Sequence, residues 1–236
     1  MEKLKDFLMK NGNAKILDIG TGNGNFIRII AGLTNDFQEI TGIDVLEGAI
    51  AAAQKSFEDE RIKFIKMDAL NMTFDDHTFD IVCLSNSLHH LEDISSSIQE
   101  MERVLKPGGF LVFSEMVSND LSPKQMSHLL MHHFAAEIDR AKGSFHDETY
   151  SNTKIIETLK SHSNLSVFDS WNLEYPQNEE LSKEDMDWLM TTIDRMLSRM
   201  EQTDEYVYFQ KKADDVKNYI RENGLESATQ LMVILQ

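Results

Sequence analysis

Residues Ala14–Phe26 read AKILDIGTGNGNF, an apolar run closed by Asp18 and followed by glycines at 20, 22 and 24. A short continuous apolar run is the pattern of a strand buried on both faces, which implies a parallel sheet covered by helices. The glycines after it let the chain turn sharply into a helix. Backbone N–H groups are then exposed at the helix N-terminus, and no Cβ atoms hold a ligand off. A small polar ligand is expected to bind there.

The first half of the chain repeats this alternation. KILDIG leads into a helix over Asn25–Leu33, and QEITGIDV into a helix from Leu46 to about Glu58. RIKFIKMD and FDIVCLSN follow, then a helix from about Asp93 to Leu105 and a strand over Phe110–Glu115. Strands alternating with helices imply right-handed crossovers and a doubly wound sheet. Lys106-Pro107-Gly108-Gly109 is expected to break the helix and turn the chain into its strand. After Glu115 the pattern changes. Ser118–Ser161 reads as mostly helical with a polar turn near Gly143, Leu165–Tyr175 as a strand, Glu179–Asn223 as an acidic, Met-rich helical stretch, and ATQLMVILQ as the last strand. The expectation is therefore an α/β fold in a single domain over residues 1–236, built on a doubly wound, seven-stranded Rossmann-like sheet. Helical insertions at about 118–161 and 179–223 are expected to form a substrate lid over the carboxyl edge, where open α/β sheets bind ligands. The helix before the first strand, Glu2–Lys10, is too short to cap the site.

Composition narrows the function. With 236 residues and 41% hydrophobic content, the chain can bury one substantial core. A net charge of −17 argues against nucleic acid or an anionic membrane as partner, because both reward clustered Lys and Arg. Cys83 is the only cysteine, which rules out an intramolecular disulfide and a cysteine zinc site. MEKLKDFLMKNGN lacks the apolar core of a signal peptide, and no run approaches the ~20 apolar residues of a membrane span. A soluble cytoplasmic protein, monomer or homodimer, is expected.

The third glycine separates two kinds of ligand. Dinucleotide folds favour G-x-G-x-x-G, which would put that glycine at position 25, where this chain has Asn25. With Asp18 ahead of it and Gly24 in place, the loop resembles motif I of the class I S-adenosylmethionine-dependent methyltransferases. The resemblance continues in order through Asp44 in TGIDV, Asp68-Ala69 in KMDAL, FDIVCLSNSLHHLED and LKPGG, covering about Ala14–Glu115. The last two stretches resemble the small-molecule, type 11-like subgroup.

This resemblance implies a sheet that is parallel except for one antiparallel strand, S-adenosylmethionine as cofactor and S-adenosylhomocysteine as product. It implies cofactor contacts from the loop residues Asp18, Gly20, Thr21, Gly22, Asn23 and Gly24. Asp44 would accept the ribose hydroxyls, Asp68 and Ala69 would meet the adenine, and Val45 and Leu70 would sandwich its ring. Ser85 and Asn86 would follow the methionine arm. Carboxylates suit such a ligand, being good acceptors for vicinal hydroxyls and for an ammonium. A single strand-end aspartate is as easily a helix-starting residue; three on successive strands converge on one crevice.

Methyl transfer from a sulfonium is an in-line displacement, so alignment and desolvation dominate. A base is needed only where the acceptor must lose a proton. His89 and His90, after the fourth strand, are the candidates, with a structural turn role as the alternative. The Asn-Pro-Pro-Tyr motif of nucleobase and glutamine methyltransferases is replaced here by Ser85-Asn86-Ser87-Leu88. A small-molecule acceptor is therefore expected. The alternatives are a protein methyltransferase docking basic partners and a non-enzymatic S-adenosylmethionine-binding module. A nicotinamide oxidoreductase is disfavoured by the glycine spacing.

A second constellation lies in MSHLLMHHFAAEIDRAKGSFHDETY. On a helix at ~100° per residue, His128, His132 and Asp139 fall within about 40° of one another. His133 and Glu137 pair on a neighbouring face, and His146 follows in the turn after Gly143. Histidines at i, i+4 can share a divalent metal, but His128 and Asp139 stand ~16 Å apart along the axis. A metal would therefore need His132 or His133 with Asp139 or Glu137 and His146 closing on it, with His132, Asp139 and His146 as the favoured set. Otherwise His128, His132, His133 and His146 serve a substrate pocket, or are hydrogen-bonded residues of an amphipathic helix. Metal-dependent catechol-type members of the resembled family carry carboxylates after the fourth and fifth strands. This chain has Asn86 and Glu115 there, so that scheme does not carry over. In MDWLMTTIDRMLSRM, Trp188, Met196 and Met200 stand at helical spacing, with Leu189, Ile193 and Leu197 continuing the stripe, a pattern expected for core or helix-pair packing, or else for an adaptable apolar pocket or a dimer face.

Overall fold

The computed structural model describes residues 1–173 and 181–236. In chain order its elements are α1 (Glu2–Lys10), β1 (Ala14–Ile19), α2 (Asn25–Leu33), β2 (Phe37–Asp44), α3 (Glu47–Ser56), β3 (Ile62–Lys66) and β4 (Phe79–Ser85). A 3₁₀ turn at Leu88–His90 precedes α4 (Ile94–Val104), β5 (Leu105–Met116), α5 (Pro123–Ala141), α6 (Asn152–His162) and β6 (Val167–Leu173). The chain ends with α7 (Lys183–Ser198), α8 (Tyr206–Asn223) and β7 (Gln230–Leu235).

These elements group into two compact units. A sheet unit comprises Met1–Glu115, Thr153–Leu173 and Leu231–Gln236. A helical unit comprises Met116–Asn152 and, among the described residues, 181–230. The stretch 118–161, expected as one insertion, thus divides: α5 falls in the helical unit, while α6 from Thr153 onward joins the sheet unit between β5 and β6. The strand expected over Leu165–Tyr175 is β6, and positions 174 and 175 of that expectation lie outside the described residues. The start of the stretch expected from Glu179 does too. Its remainder is the two helices α7 and α8. No helix among the described residues is long and apolar enough to cross a membrane.

The seven strands run in the order β3-β2-β1-β4-β5-β7-β6. β1 is parallel to both its neighbours, with Asp18 opposite Gly42 on β2 and Cys83 on β4. β7 is the antiparallel strand: Ser166 and Gln236 at its border with β6 exchange both backbone hydrogen bonds. Burial follows the sequence pattern. β1 buries five of its six residues, and α2 faces the core with Phe26, Ile27 and Ile30. Gly24 starts α2 at φ +78°, where a Cβ would stand 2.6 Å from the Phe57 ring. That crowding explains a glycine at this position.

β5 differs from expectation. The strand already begins at Leu105, and Phe79 of β4 lies opposite Leu105 while Ile81 lies opposite Phe110. Lys106–Gly109 is therefore an excursion within the strand rather than a turn ahead of it. A bulge leaves its extra residues unpaired, so the missing N–H of Pro107 costs no ladder bond.

In the helical unit, Phe134 and Ile138 of α5 share one buried cluster with Leu189, Ile193 and Leu197 of α7 and with Phe209 of α8. Trp188 is 61% exposed. It sits about 100° around the helix from Leu189, off the buried face, so it does not join the expected stripe. Met200 is buried and Met196 partly so.

Candidate active site

The order β3-β2-β1-β4-β5 reverses the winding between β1 and β4, the place where open α/β sheets leave a crevice at their carboxyl ends. The glycine loop stands there. Asp18, near the end of β1, is 1% exposed, and its Oδ2 accepts a 2.6 Å hydrogen bond from the Thr21 hydroxyl. Its Oδ1 is buried with no hydrogen-bond partner. Loss of solvent pushes the Asp18 carboxyl up to about 7; the Thr21 hydrogen bond opposes this and the nearby Asp44 charge adds to it. A buried carboxylate oxygen without a donor costs about 1–3 kcal/mol, and a cationic donor from a ligand would remove that cost.

Asp44 closes β2 and is half-buried. Its Oδ2 accepts the Gly22 N–H at 2.9 Å and its Oδ1 the Leu46 N–H at 2.8 Å. Those bonds fix the carboxylate against the loop. Each oxygen retains a further lone pair, so the group still suits two adjacent hydroxyls. Gly22 lies at φ +53° with nothing within 4 Å of where a Cβ would stand, so the loop presents open backbone. Thr21 is buried and Asn23 exposed, while the Thr21 N–H bonds the Ile43 carbonyl at 2.9 Å and ties the loop to β2.

Asp68, just beyond β3, is exposed and accepts the Leu70 N–H at 2.9 Å; Ala69 between them is half-buried. Val45, Leu46 and Leu70 are 56%, 64% and 40% exposed. Large apolar side chains beside strand-end carboxylates are surface that a flat ring would cover. Ser85 and Asn86 are half-buried at the end of β4. Asn86 takes φ +47°, a conformation asparagine tolerates better than most residues, and its N–H bonds the Ser114 carbonyl at 2.8 Å. The structure thus brings all the proposed cofactor residues to the ends of β1 to β4. Together they offer a buried anionic acceptor, a second carboxylate, open backbone and apolar flanks. These residues fit a ligand with an ammonium, vicinal hydroxyls and a flat base.

His89 and His90 occupy the 3₁₀ turn, with His89 1% exposed and His90 exposed. Glu115, near the end of β5 and 2% exposed, governs this turn. Its Oε1 accepts the N–H groups of Ser87 and Leu88 at 3.0 and 3.1 Å, and its Oε2 lies 3.5 Å from His89 Nδ1. Glu115 is a site residue outside the set expected from the sequence. The available signal was a carboxylate closing a fifth buried strand, the position that Asp18 and Asp44 hold on theirs.

In the helical unit the histidines divide. His128 Nδ1 accepts the Ala228 N–H at 3.0 Å, and burial lowers its pKa. His133 Nε2 accepts the Thr149 N–H at 3.3 Å and meets the Thr149 hydroxyl at 3.1 Å. Both therefore pin distant backbone. His146 folds back onto α5: its Nδ1 lies 2.7 Å from Asp139 Oδ2, and its ring centroid 5.2 Å from that of His132. Asp139 Oδ1 takes the Arg199 guanidinium. Burial pushes the Asp139 carboxyl up, but the hydrogen bonds from His146 and Arg199 prevail and hold it below its ordinary range. Glu137 bonds Tyr208 and Lys212 rather than pairing with His133.

The strand order, the antiparallel β7 and acceptors closing successive parallel strands define a Rossmann-like fold of the methyltransferase type. Residues 17–113 match the model of the family described as "Methyltransferase domain". The match covers β1 to β5, the strands that carry the glycine loop and the strand-end acceptors. The demethylmenaquinone methyltransferase of Staphylococcus aureus is 33% identical over 113 residues, covering 48% of this chain and 46% of that protein. The chain thus spans about half the length of the curated relatives it matches. Among solved structures, a Bacillus halodurans C-125 protein provisionally assigned as a methyltransferase matches with a TM-score of 0.62 at 18% identity, covering 98% of this chain and 97% of that one. The [4+2]-cyclase SpnF matches with a TM-score of 0.58 at 19% identity, covering 99% of this chain and 79% of that one. At such identities the structures speak for the fold alone.

Proposed function

We propose that this protein transfers a methyl group from S-adenosylmethionine to a small-molecule acceptor. The observation that carries this reading is the unpartnered, buried Oδ1 of Asp18 beside an open glycine loop. Bound there, S-adenosylmethionine supplies an electrophilic methyl group on a sulfonium that is also the leaving group. The chain's own work is to hold and align. Asp18 takes the ligand's ammonium, Asp44 its ribose hydroxyls, and Asp68 with Ala69 its base, between Val45 and Leu70. The backbone of Gly20, Gly22 and Gly24 lets the methionine portion approach, and Ser85 and Asn86 line its far end. His89, steadied by the Glu115 carboxylate, takes a proton where the acceptor must lose one.

A small-molecule acceptor is supported by the name of the Staphylococcus aureus relative, by the absence of an Asn-Pro-Pro-Tyr motif and by the net charge of −17. Calorimetry with S-adenosylhomocysteine and with NAD tests the cofactor. Saturable binding of the former alone is expected, and binding of NAD alone overturns the reading.

A further inference from the structure

We propose that His132 and His146 of the helical unit hold a divalent transition-metal ion, with Asp139 orienting His146 from behind. The inference stands apart from the methyl-transfer reading and rests on residues of the helical unit only. His146 is the better-defined ligand. Its Nδ1 faces Asp139 Oδ2 at 2.7 Å, so ligation falls to Nε2. A metal-bound histidine almost always gives its other N–H to a carboxylate or carbonyl, which fixes the tautomer and makes the ligating nitrogen more basic. Asp139 is suited to that role because Arg199 on its other oxygen holds the carboxylate in place. The Arg140 guanidinium bonds the His146 carbonyl at 2.7 Å and fixes the loop that carries the ring.

His132 supplies the second nitrogen. The ligating atoms of His132 and His146 lie within 4.8 Å of each other. Two imidazole nitrogens at about 2.0–2.1 Å from one ion stand at most about 4.2 Å apart, so small ring rotations suffice. His146 is 4% exposed and His132 half-buried, and imidazole pairs suit Zn2+, Ni2+ or Co2+ over the oxygen-seeking Mg2+ and Ca2+. Asp139, expected from the sequence as a ligand, is thereby the orienting residue. The competing account is a structural clasp in which Asp139, Arg199 and Arg140 anchor the loop after Gly143.

The two accounts separate by calorimetric titration of Zn2+ and Ni2+ into tag-free full-length protein dialysed against chelator, at neutral pH. One saturable site per chain is expected. His132→Ala and His146→Ala should each abolish it, Asp139→Asn should weaken it by about 10–100-fold, and His162→Ala on α6 should leave it unchanged. Circular dichroism confirms that each variant is folded. Absence of saturable binding to the wild type, or a His132→Ala protein that binds like the wild type, overturns the proposal and leaves the clasp.

Discussion

The glycine loop of the sheet unit and the histidine loop of the helical unit both gather polar groups beside a buried core, but they satisfy them differently. In the sheet unit the acceptors are met by nearby backbone: Gly22 and Leu46 for Asp44, Leu70 for Asp68. Those bonds aim each carboxylate yet leave lone pairs over, and Asp18 Oδ1 is left with no donor at all. In the helical unit the groups are closed by charged side chains from far along the chain, Asp139 by Arg199 and Glu137 by Lys212. Backbone-aimed acceptors at strand ends leave valence for a ligand. Side-chain ion pairs mostly spend theirs on each other.

Four measurements test whether the two units are independent in this way. The largest effect is expected in the helical core, where Ile193→Ala removes a side chain with 0% exposure. Thermal or denaturant unfolding should show a loss of about 2–5 kcal/mol. Affinity for S-adenosylhomocysteine, whose proposed contacts all lie in the sheet unit, should stay within about twofold. A large loss of affinity would mean that the helical unit supports the cofactor site.

Next is the pH dependence of Asp18. Its carboxyl is raised from 3.8 to about 7 on folding, so the folded protein keeps a proton that the unfolded chain has already lost. Stability should therefore fall as pH rises through that window, by at most about 4 kcal/mol, and Asp18→Asn should remove this slope. A ligand bringing an ammonium favours the carboxylate, so cofactor binding should release a proton near neutral pH and tighten as pH rises. Buffer-dependent binding heats measure that proton, and identical heats in all buffers would count against Asp18 as the ammonium's partner.

Asp44→Ala should weaken S-adenosylhomocysteine binding by about 1.5–3 kcal/mol, the range for a lost charge-assisted bond. Unchanged affinity would remove Asp44 from the ribose role. The smallest effect belongs to the helical unit's ion pairs. Lys212→Ala breaks a partly exposed pair with Glu137 and should cost no more than about 1 kcal/mol in unfolding experiments, less at high salt.

The contrast also explains what could be read in advance. β1, α2 and β4 lie where periodicity placed them, because burial on both strand faces demands unbroken apolar runs and the core-facing side of a helix repeats every 3.6 residues. Asp18, Asp44 and Asp68 were legible because a parallel sheet carries every strand's carboxyl end to one edge. Lys106–Gly109 reads as a turn in the sequence because Pro and Gly mark a break without saying whether the strand resumes around it. The role of Glu115 is hidden in the sequence because its partners, the N–H groups of Ser87 and Leu88, belong to a turn more than twenty residues away.

What the sequence determined by itself is the strand-and-turn scaffold and the acceptors at its carboxyl edge, since each is set by local spacing and by the topology that spacing implies. What only the tertiary structure decided is which histidine does what. His128 and His132 share a helix face in the sequence, yet one is spent on the Ala228 backbone while the other stands beside His146. Helical geometry fixes where a side chain starts. Its partner is chosen by segments 14 to 100 residues away, and that choice is made when they pack.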